Sequence, residues 1–139
     1  MKRIAASLAL ALLAAGCAGT PPPPPALPKP NYSQQTIDGL YRGTSTRYQA
    51  DSKTCPSPGL VTLHVAGGHF EYRWKYKVLI PADIASDGTI AGTLDDLTLT
   101  GQLIPAQPAE GDKPALPQRL QGDVTNGVCS VHFTVNKRP

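Results

Sequence analysis

The chain has 139 residues and a formal net charge of +3, with 13 lysine and arginine residues against 10 aspartate and glutamate residues. Lys2, Arg3 and Lys29 precede residue 31, so residues 31–139 carry ten cations and ten anions. A neutral folded region argues against nucleic-acid binding, which needs a clustered basic face, and the length allows one domain. Of the 15 prolines, seven lie in residues 21–30.

The first twenty residues have the pattern of an export signal. Lys2 and Arg3 precede an apolar run over residues 4–15. This run is shorter than the roughly 20 residues that a membrane-spanning helix needs. The pattern therefore predicts a signal peptide.

The end of this segment, Leu13-Ala14-Ala15-Gly16-Cys17, resembles the lipobox of bacterial lipoproteins. The family prefers leucine three places before the cysteine, where this chain has Ala14. The resemblance implies a signal peptide over residues 1–16 and lipidation of Cys17 with diacylglycerol and palmitate. Ala18 stands where an aspartate would retain a lipoprotein in the inner membrane, which implies an anchor in the outer membrane, on its periplasmic or surface side. Ordinary secretory cleavage that leaves Cys17 as a free thiol is the alternative.

A proline-rich stalk follows the predicted anchor. Proline lacks the N–H group and fixes φ, so residues 21–30 are expected to be extended polyproline II. Ten such residues reach about 30 Å. We expect residues 17–36 to hold the folded domain, residues 37–139, away from the bilayer; a ligand for a proline-recognising groove is the alternative role.

Cys55 and Cys129 remain after the predicted lipidation of Cys17. An even pair of cysteines in an exported chain predicts a disulfide. It closes a loop of about 75 residues, for which chain entropy gives ~4 kcal/mol of stabilisation. Two free, buried cysteines are the alternative.

From residue 37 onward, short alternating segments are separated by turn residues, which is typical of β-hairpins. A two-residue loop at Gly67-Gly68 places apolar residues opposite each other. The inward pairs of this hairpin are Val65 with Phe70, Leu63 with Tyr72, and Val61 with Trp74. Its outer face carries His64 opposite Glu71 and Thr62 opposite Arg73.

Three further turns keep apolar residues on the same face. Residues 86–88 form a three-residue loop with Gly88 in the left-handed conformation, whereas Asp95-Asp96 and Asn126-Gly127 form two-residue turns. The first loop pairs Ile84 with Ile90 and Ala82 with Gly92; the second turn pairs Leu94 with Leu97, Gly92 with Leu99 and Ile90 with Gly101; the third pairs Val124 with Cys129, Gly122 with Val131 and Leu120 with Phe133.

These registers predict one apolar inner face. Its members are Val61, Leu63, Val65, Phe70, Tyr72, Trp74, Val78, Ile80, Ile84, Ile90, Leu94, Leu97, Leu99, Leu103, Leu120, Val124, Val131, Phe133 and Val135. Gly43, Gly92, Gly101 and Gly122 share this face, each two residues after an apolar residue. Inward glycines let a sheet bend sharply, which indicates a small barrel.

The segment from His69 to Ile84 is either one bent strand or two strands joined at residues 75–77. Two strands bring the two cysteines to the same end, as a Cα separation of about 5.5 Å requires. We therefore predict an all-β fold, a small eight-stranded antiparallel meander barrel or a closely related sandwich, with Trp74 opposite Val78 and the disulfide stapling the first strand to the last. We expect residues 105–117, which are rich in proline and poor in apolar residues, to be a mobile, disordered loop.

Because consecutive antiparallel strands run in opposite directions, their connections fall alternately at the two ends of the barrel. The stalk, the Gly67-Gly68 turn, the 86–88 loop and the 105–117 loop share the tether end. The opposite end carries a candidate partner-facing rim: Lys53, Lys75, Tyr76, Lys77, Asp95 and Asp96. Any partner away from the membrane is expected to contact this rim.

No motif indicates catalysis, a cofactor or a metal. His64, His69 and Glu71 share the outer face, where a solvated pair between His64 and Glu71 is the simpler interpretation than a metal site. His132 lies on the outer face of the last strand, and Asp95-Asp96 fit a turn better than an acid/base pair. We therefore predict a protein that is not an enzyme and has no cofactor, although sequence alone does not reveal a catalytic triad.

Two functions follow as hypotheses. The first is a lipid-anchored interaction module that binds an envelope protein or polysaccharide. Its layout resembles the small anchored barrels that inhibit lysozymes or proteases, and also small exported lipoproteins to which no activity is assigned. The second is a carrier of a small apolar ligand in a cavity lined by Phe70, Tyr72 and Trp74.

Overall fold

The computed structural model describes Pro22, Pro25, residues 31–49 and residues 53–139. The predicted signal peptide, Cys17 and most of the predicted stalk lie outside the described residues. One helical turn, α1 (Gln34–Ile37), precedes eight strands. The strands are β1 (Gly39–Gln49), β2 (Gly59–Val65), β3 (His69–Lys75), β4 (Val78–Ile84), β5 (Thr89–Leu94), β6 (Leu97–Ile104), β7 (Arg119–Thr125) and β8 (Ser130–Lys137).

All eight strands belong to one antiparallel sheet with the order β2-β1-β8-β7-β6-β5-β4-β3. The first and last strands pair, from Tyr41 with Lys137 to Gln49 with Ser130. The two edges of the sheet, β2 and β3, are joined by the Gly67-Gly68 turn, so the sheet curls into a nearly closed barrel. The predicted all-β, eight-stranded antiparallel fold is confirmed.

The predicted inner face forms the core. Its residues are buried, except that Val61, Val78 and Leu94 are partly buried and pack against the cluster. The core also includes Ile37 from α1 and Tyr41 from β1. The Tyr41 hydroxyl donates to the Ile37 carbonyl oxygen at 2.7 Å and lies 2.9 Å from Gln118 Oε1. Burial, and secondarily the charge of Asp38, raises the pKa of Tyr41 to about 12.

The inward glycines lie where neighbouring backbones approach most closely. A Cβ atom on Gly43 would lie 2.0 Å from the Thr134 carbonyl oxygen, and one on Gly101 would lie 2.4 Å from that of Gln121. Gly92 and Gly122 are equally confined. Missing side chains therefore permit the tight curvature of this sheet.

Two turns have the predicted registers. Ala82 pairs with Gly92 and Ile84 with Ile90, around a loop in which Gly88 has φ +83°. The pairs of β5 with β6 are also those predicted, including Leu94 with Leu97. Asp95 there takes the left-handed φ of +52°, which aspartate tolerates better than most residues.

The predicted two-residue turn at Asn126-Gly127 is wrong. Thr125 pairs with Ser130 and Val124 with Val131, so the turn has four residues, 126–129, and β8 is shifted by two positions. The Asn126 Oδ1 atom accepts hydrogen bonds from the N–H groups of Val128 and Cys129, at 3.1 and 2.8 Å. The Asn126 side chain thus pairs two backbone N–H groups of the four-residue turn. Because side chains alternate between the two faces of a strand, a register shift of two residues keeps the same residues of β8 on the inner face.

The predicted three-residue loop between β3 and β4 is also wrong. Lys75 pairs with Val78 around a two-residue turn, Tyr76-Lys77, and the register shifts between Arg73 and Lys75. Lys77 has φ +66°. The shift leaves Trp74 in a bulge instead of opposite Val78, with its side chain still buried.

Residues 105–117 are ordered, contrary to prediction, and extend the hairpin of β6 and β7. Isolated bridges join Gln107 to Leu116 and Glu110 to Lys113, each through two backbone hydrogen bonds. With the last pair of the ladder, Ile104 and Arg119, the bonded pairs recur every third residue. Three residues per turn is the period of polyproline II. The prolines occupy positions between the bonded residues, so the two proline-rich segments pair here without needing the N–H group that proline lacks.

The predicted disulfide is confirmed. Cys55 and Cys129 are bonded with a Cα separation of 5.4 Å across 74 residues of sequence. It ties the loop before β2 to the start of β8, next to the pairing of β8 with β1. This end of the barrel lies opposite the end where the Tyr32 N–H donates to the Ser86 carbonyl oxygen.

Candidate functional site

The wall of the barrel is open between β2 and β3, and we call this opening the split. Ala66 and His69 form the isolated bridge beside the Gly67-Gly68 turn, with hydrogen bonds of 2.9 and 3.1 Å. Along the rest of these two described strands no ladder forms. The predicted pairs Val65 with Phe70, Leu63 with Tyr72, and Val61 with Trp74 are therefore wrong as backbone partners, although all six side chains face inward as predicted.

The size of the inward side chains explains the split. Every other pair of neighbouring strands has at least one inward pair that contains Gly, Ala or Ser, such as Gly92 with Leu99 or Phe70 with Ala82. The β2–β3 hairpin has a large side chain at both members of each inward pair. Two large residues facing each other in a strongly curved wall hold the backbones apart.

A side chain, instead of backbone pairing, crosses beneath the split. Tyr72 of β3 lies with its ring 5.0 Å from the Phe133 ring of β8. Burial raises the pKa of Tyr72, and the nearby Ser45 side chain of β1 acts in the opposite direction. The core is therefore continuous under an open backbone edge.

Polar contacts hold the two ends of the split. At the tether end, the Asp38 carboxylate accepts hydrogen bonds from the N–H groups of Gly67 and Gly68 at 2.8 and 2.9 Å. The bond from Gly68, then that from Gly67, lowers the pKa of Asp38. At the other end, the Lys75 ammonium group donates to the Thr54 carbonyl oxygen. The split is thus a slot with two defined ends.

Two connected surface grooves follow the slot. One has a volume of about 420 Å³ and includes Thr62, His64, Glu71, Arg73 and Leu79 in its lining. The second has a volume of about 290 Å³ and is lined by Leu60, Val61, Thr62 and Arg73. Because they share Thr62 and Arg73, an accessible channel follows the open strand edges. Leu60 is 91% exposed at this channel.

The predicted rim falls into two groups. Lys75, Tyr76 and Lys77 lie at the β3–β4 turn beside the loop that carries Lys53, through the contact of Lys75 with Thr54. The Lys77 Nζ atom lies 5.4 Å from the centre of the Tyr76 ring, and Tyr76 is 81% exposed. Asp95 and Asp96 are exposed in the separate β5–β6 turn.

The residues predicted to line a ligand cavity are part of the packed core. Phe70, Tyr72 and Trp74 are each at least 93% buried. Of the three, Phe70 lines the larger groove of the split. Their packing provides no argument for the carrier hypothesis.

Two of the three histidines, His69 and His132, pair with aspartates. His69 Nδ1 lies 3.0 Å from Asp83 Oδ1 across β3 and β4, whereas the expected pair of His64 with Glu71 is not among the ion pairs of the described residues. Within the described part of the chain, no group of three His, Cys, Asp or Glu side chains is placed to hold a metal.

His132 belongs to a chain of polar groups with the order of a catalytic triad. Thr134 Oγ1 lies 3.3 Å from His132 Nε2, and His132 Nδ1 lies 3.0 Å from Asp123 Oδ1. The Tyr48 hydroxyl also donates to Asp123, at 3.2 Å. These groups lie on the convex outer face of β1, β8 and β7 and line none of the grooves described above. Acyl transfer needs a cleft with oxyanion donors, so we assign no reaction to them.

Comparison with family models, curated proteins and solved structures finds no match to this chain. Among the described residues, no helix has the length and hydropathy of a membrane span. The site is therefore interpreted from its own geometry.

Proposed function

We propose that the protein is a lipid-anchored lipoprotein of the bacterial outer membrane, and that its barrel is a non-catalytic module that binds another envelope component. The lipobox resemblance at Leu13–Cys17 supports the anchor, and the disulfide between Cys55 and Cys129 fits an oxidising compartment. The observation that carries the binding function is the split, where two strand edges lie unpaired at an accessible surface. Unpaired edges are where sheet proteins recruit other chains.

The rim supports the same proposal, since it lies at the end of the slot away from the tether. Lys75 is common to the rim and to the contact that ends the slot. A partner that reaches the barrel from beyond the stalk therefore meets Tyr76 and Lys77 first and the channel next.

The anchor is tested by metabolic labelling with palmitate. We expect label in the wild-type chain and none in Cys17→Ser, which should also leave the membrane fraction. Label that persists in Cys17→Ser would contradict lipidation at this residue.

The binding function is tested with a photo-cross-linking amino acid placed, in intact cells, at Lys53, Lys75, Tyr76 or Leu60. The matched control is Ala91, which is exposed on the outer face of β5. We expect a discrete cross-linked product from rim or split positions and none from Ala91. No product from any of the four positions would contradict the proposal.

A further inference from the structure

We infer that the open edge of β2 is a docking site for an extended polypeptide segment of an envelope protein, which adds to the sheet as a strand beside β2. This inference rests on the proposed function and names the class of its partner. It follows from the direction of the backbone groups, the regular edge of β2 and the shape of the slot.

The backbone groups that face the slot can be assigned from the bridge beside the turn. Successive residues of a strand point their N–H and C=O groups to opposite sides. Ala66 bonds toward β3 through both groups, so those of Leu60, Thr62 and His64 also point into the slot. On the opposite side, Glu71 pairs with Pro81, which has no N–H to offer, so the Glu71 groups likewise face the slot.

The edge of β2 is the more regular of the two. It runs from Gly59 to Val65 without a proline or a register shift. The edge of β3 is interrupted by the bulge at Trp74, and bulges hinder the addition of a strand. The stretch from Leu60 to His64 offers about 13 Å of edge at ~3.3 Å per residue.

The spacing of these groups selects an extended polypeptide. N–H and C=O pairs recur at every second residue, about 6.6 Å apart. A strand presents complementary groups at the same interval, whereas polysaccharide hydroxyls do not repeat with that pattern. Addition of an extended peptide to a free sheet edge is a general mode of recognition.

The slot excludes a second folded copy of the barrel. The edge of β2 is flanked on one side by β1 and on the other by β3 of the same wall, which is joined to it by the Gly67-Gly68 turn. An edge strand of another copy would carry its own wall into this space. A single segment that is free of its own sheet has no such obstacle.

The surroundings indicate an alternating sequence for the segment. Its inward side chains would lie over the partly buried Val61, and its outward ones would lie in the channel near Leu60 and Arg73. We therefore expect apolar residues to alternate with polar ones in the docked segment.

The first test is amide hydrogen exchange of the wild-type domain, measured by NMR with and without a peptide probe. The probe is HAEARAK, which is the sequence of residues 69–75 with alanine in place of Phe70, Tyr72 and Trp74, so that its inward side chains are small. Its register opposite β2 is defined by the Ala66–His69 bridge. The matched control is the same peptide N-methylated at alternate residues, which removes the donors that face the edge.

We expect the amides of Leu60, Thr62 and His64 to exchange at least tenfold more slowly with the probe and at an unchanged rate with the control. Those of Val61 and Leu63, which bond β1, should be protected throughout. Protection of Leu60, Thr62 and His64 in the free protein would overturn the inference, since the split would then be closed. No change with saturating probe would also overturn it.

The second test compares Thr62→Pro with Thr62→Ala in the full anchored chain. Proline removes the one N–H group at the centre of the edge, whereas alanine keeps it. We expect Thr62→Pro to weaken binding of the probe at least tenfold and Thr62→Ala to leave it within about twofold. If Thr62→Pro does not fold, the exchange experiment on the wild-type protein decides the question.

Cross-linking from Leu60 separates this inference from the proposed function. A peptide adduct at Leu60 that disappears in Thr62→Pro supports both. A partner captured only from Tyr76, and unaffected by Thr62→Pro, leaves the proposed function standing and overturns the inference, as does a carbohydrate adduct at Leu60. No adduct at either position contradicts both.

Discussion

The hairpins β2–β3 and β5–β6 have similar sequence patterns but different structures. Both alternate inward apolar and outward polar residues, and the Gly67-Gly68 turn of the first is better suited to a hairpin than the Asp95-Asp96 turn of the second. Yet β5 and β6 pair along their length, from Leu94 with Leu97 to Thr89 with Gln102, whereas β2 and β3 separate after one bridge.

The difference lies in the volume that each hairpin places inside the wall. Two of the three inward pairs of the β5–β6 hairpin contain a glycine, Gly92 opposite Leu99 and Gly101 opposite Ile90. The inward pairs of the β2–β3 hairpin contain none, and the Tyr72 ring packs against Phe133 across the core instead. A favourable turn starts a hairpin, but the packing of the whole barrel determines how far its strands remain paired.

The largest expected effect comes from filling one of the inward glycines. Gly43→Ala places a Cβ atom 2.0 Å from the Thr134 carbonyl oxygen, and we expect it to lower the free energy of unfolding by about 3 kcal/mol or more. Urea unfolding followed by the fluorescence of the single tryptophan, Trp74, measures this. Gly59→Ala, which meets no atom within 4 Å, is the matched control and should change stability little. Equal stability of the two variants would refute the close-packing explanation.

Removal of the disulfide should have the next largest effect. In the double variant Cys55→Ser, Cys129→Ser we expect a loss of about 2–5 kcal/mol, as for other small exported domains. Because the disulfide secures the loop before β2, exchange of the β2 amides should increase more than that of the β6 amides. Cys55→Ser alone should equal the double variant in urea unfolding. Equal increases of exchange in the two strands would show that the disulfide does not act preferentially on the split.

A glycine introduced into the split hairpin should help it to pair. In Val61→Gly the inward pair with Trp74 loses one large member, and we expect the amides of Thr62 and Arg73 to become protected from exchange. The substitution also costs about 1–3 kcal/mol, because glycine loses more backbone entropy than other residues and the partly buried Val61 side chain is lost. Leu60→Gly, on the outer face, is the control and should not protect these amides. If neither variant does so, side-chain volume is not the cause of the split.

The Tyr72 side chain, which packs beneath the split, should contribute less to the stability of the domain. Tyr72→Phe removes the hydroxyl of this buried side chain, which lies near Ser45, and we expect a loss of about 1 kcal/mol in urea unfolding. Since the pKa of Tyr72 is raised from 10.0 in the folded state, stability should fall as the pH rises above that value, and less steeply in Tyr72→Phe. Tyr76→Phe, at an exposed position, should behave as wild type. A wild-type response from Tyr72→Phe would mean that this hydroxyl does not support the split.

The smallest effect should come from the turn that begins the split hairpin. The pKa of Asp38 is lowered from 3.8 by its bonds to Gly68 and Gly67. The stabilisation that the ionised Asp38 carboxylate provides is therefore complete above pH 3.8 and is lost as the pH falls through the lowered pKa. We expect Asp38→Asn to reduce the dependence of Tm on pH below 4, measured by circular dichroism. An unchanged Tm profile would mean that the turn does not need the carboxylate.

Local patterns predicted the faces of the strands better than their partners. Period-two alternation identified the core residues correctly, because burial acts on each side chain separately. Gly88 was also predictable, since a residue with positive φ at that place of a three-residue loop is most readily glycine. The four-residue turn after Thr125 was not, because Asn126-Gly127 suits two turn lengths and the side-chain bonds of Asn126 favour the longer one.

The candidate site was less predictable than the fold. The sequence patterns predict a site at the rim, and the Gly67-Gly68 turn predicts full pairing of β2 with β3. A signal was nevertheless present, since the inward pairs of that hairpin contain no small residue. The proline-rich extension of β6 and β7 was missed for a related reason: its bonds recur every third residue, a period that strand patterns do not include.

The composition and the alternation of apolar with polar residues were sufficient to predict an all-β domain of eight strands, because strands and turns depend on local residue preferences. The short Cα separation that a disulfide requires was sufficient to predict that Cys55 is bonded to Cys129. Which strand edges remain open depends on all eight strands together. Closing a small barrel requires the volumes of opposing side chains to fit at every contact, and the fit fails between β2 and β3. The open edge that carries the proposed binding function is thus a consequence of packing in three dimensions.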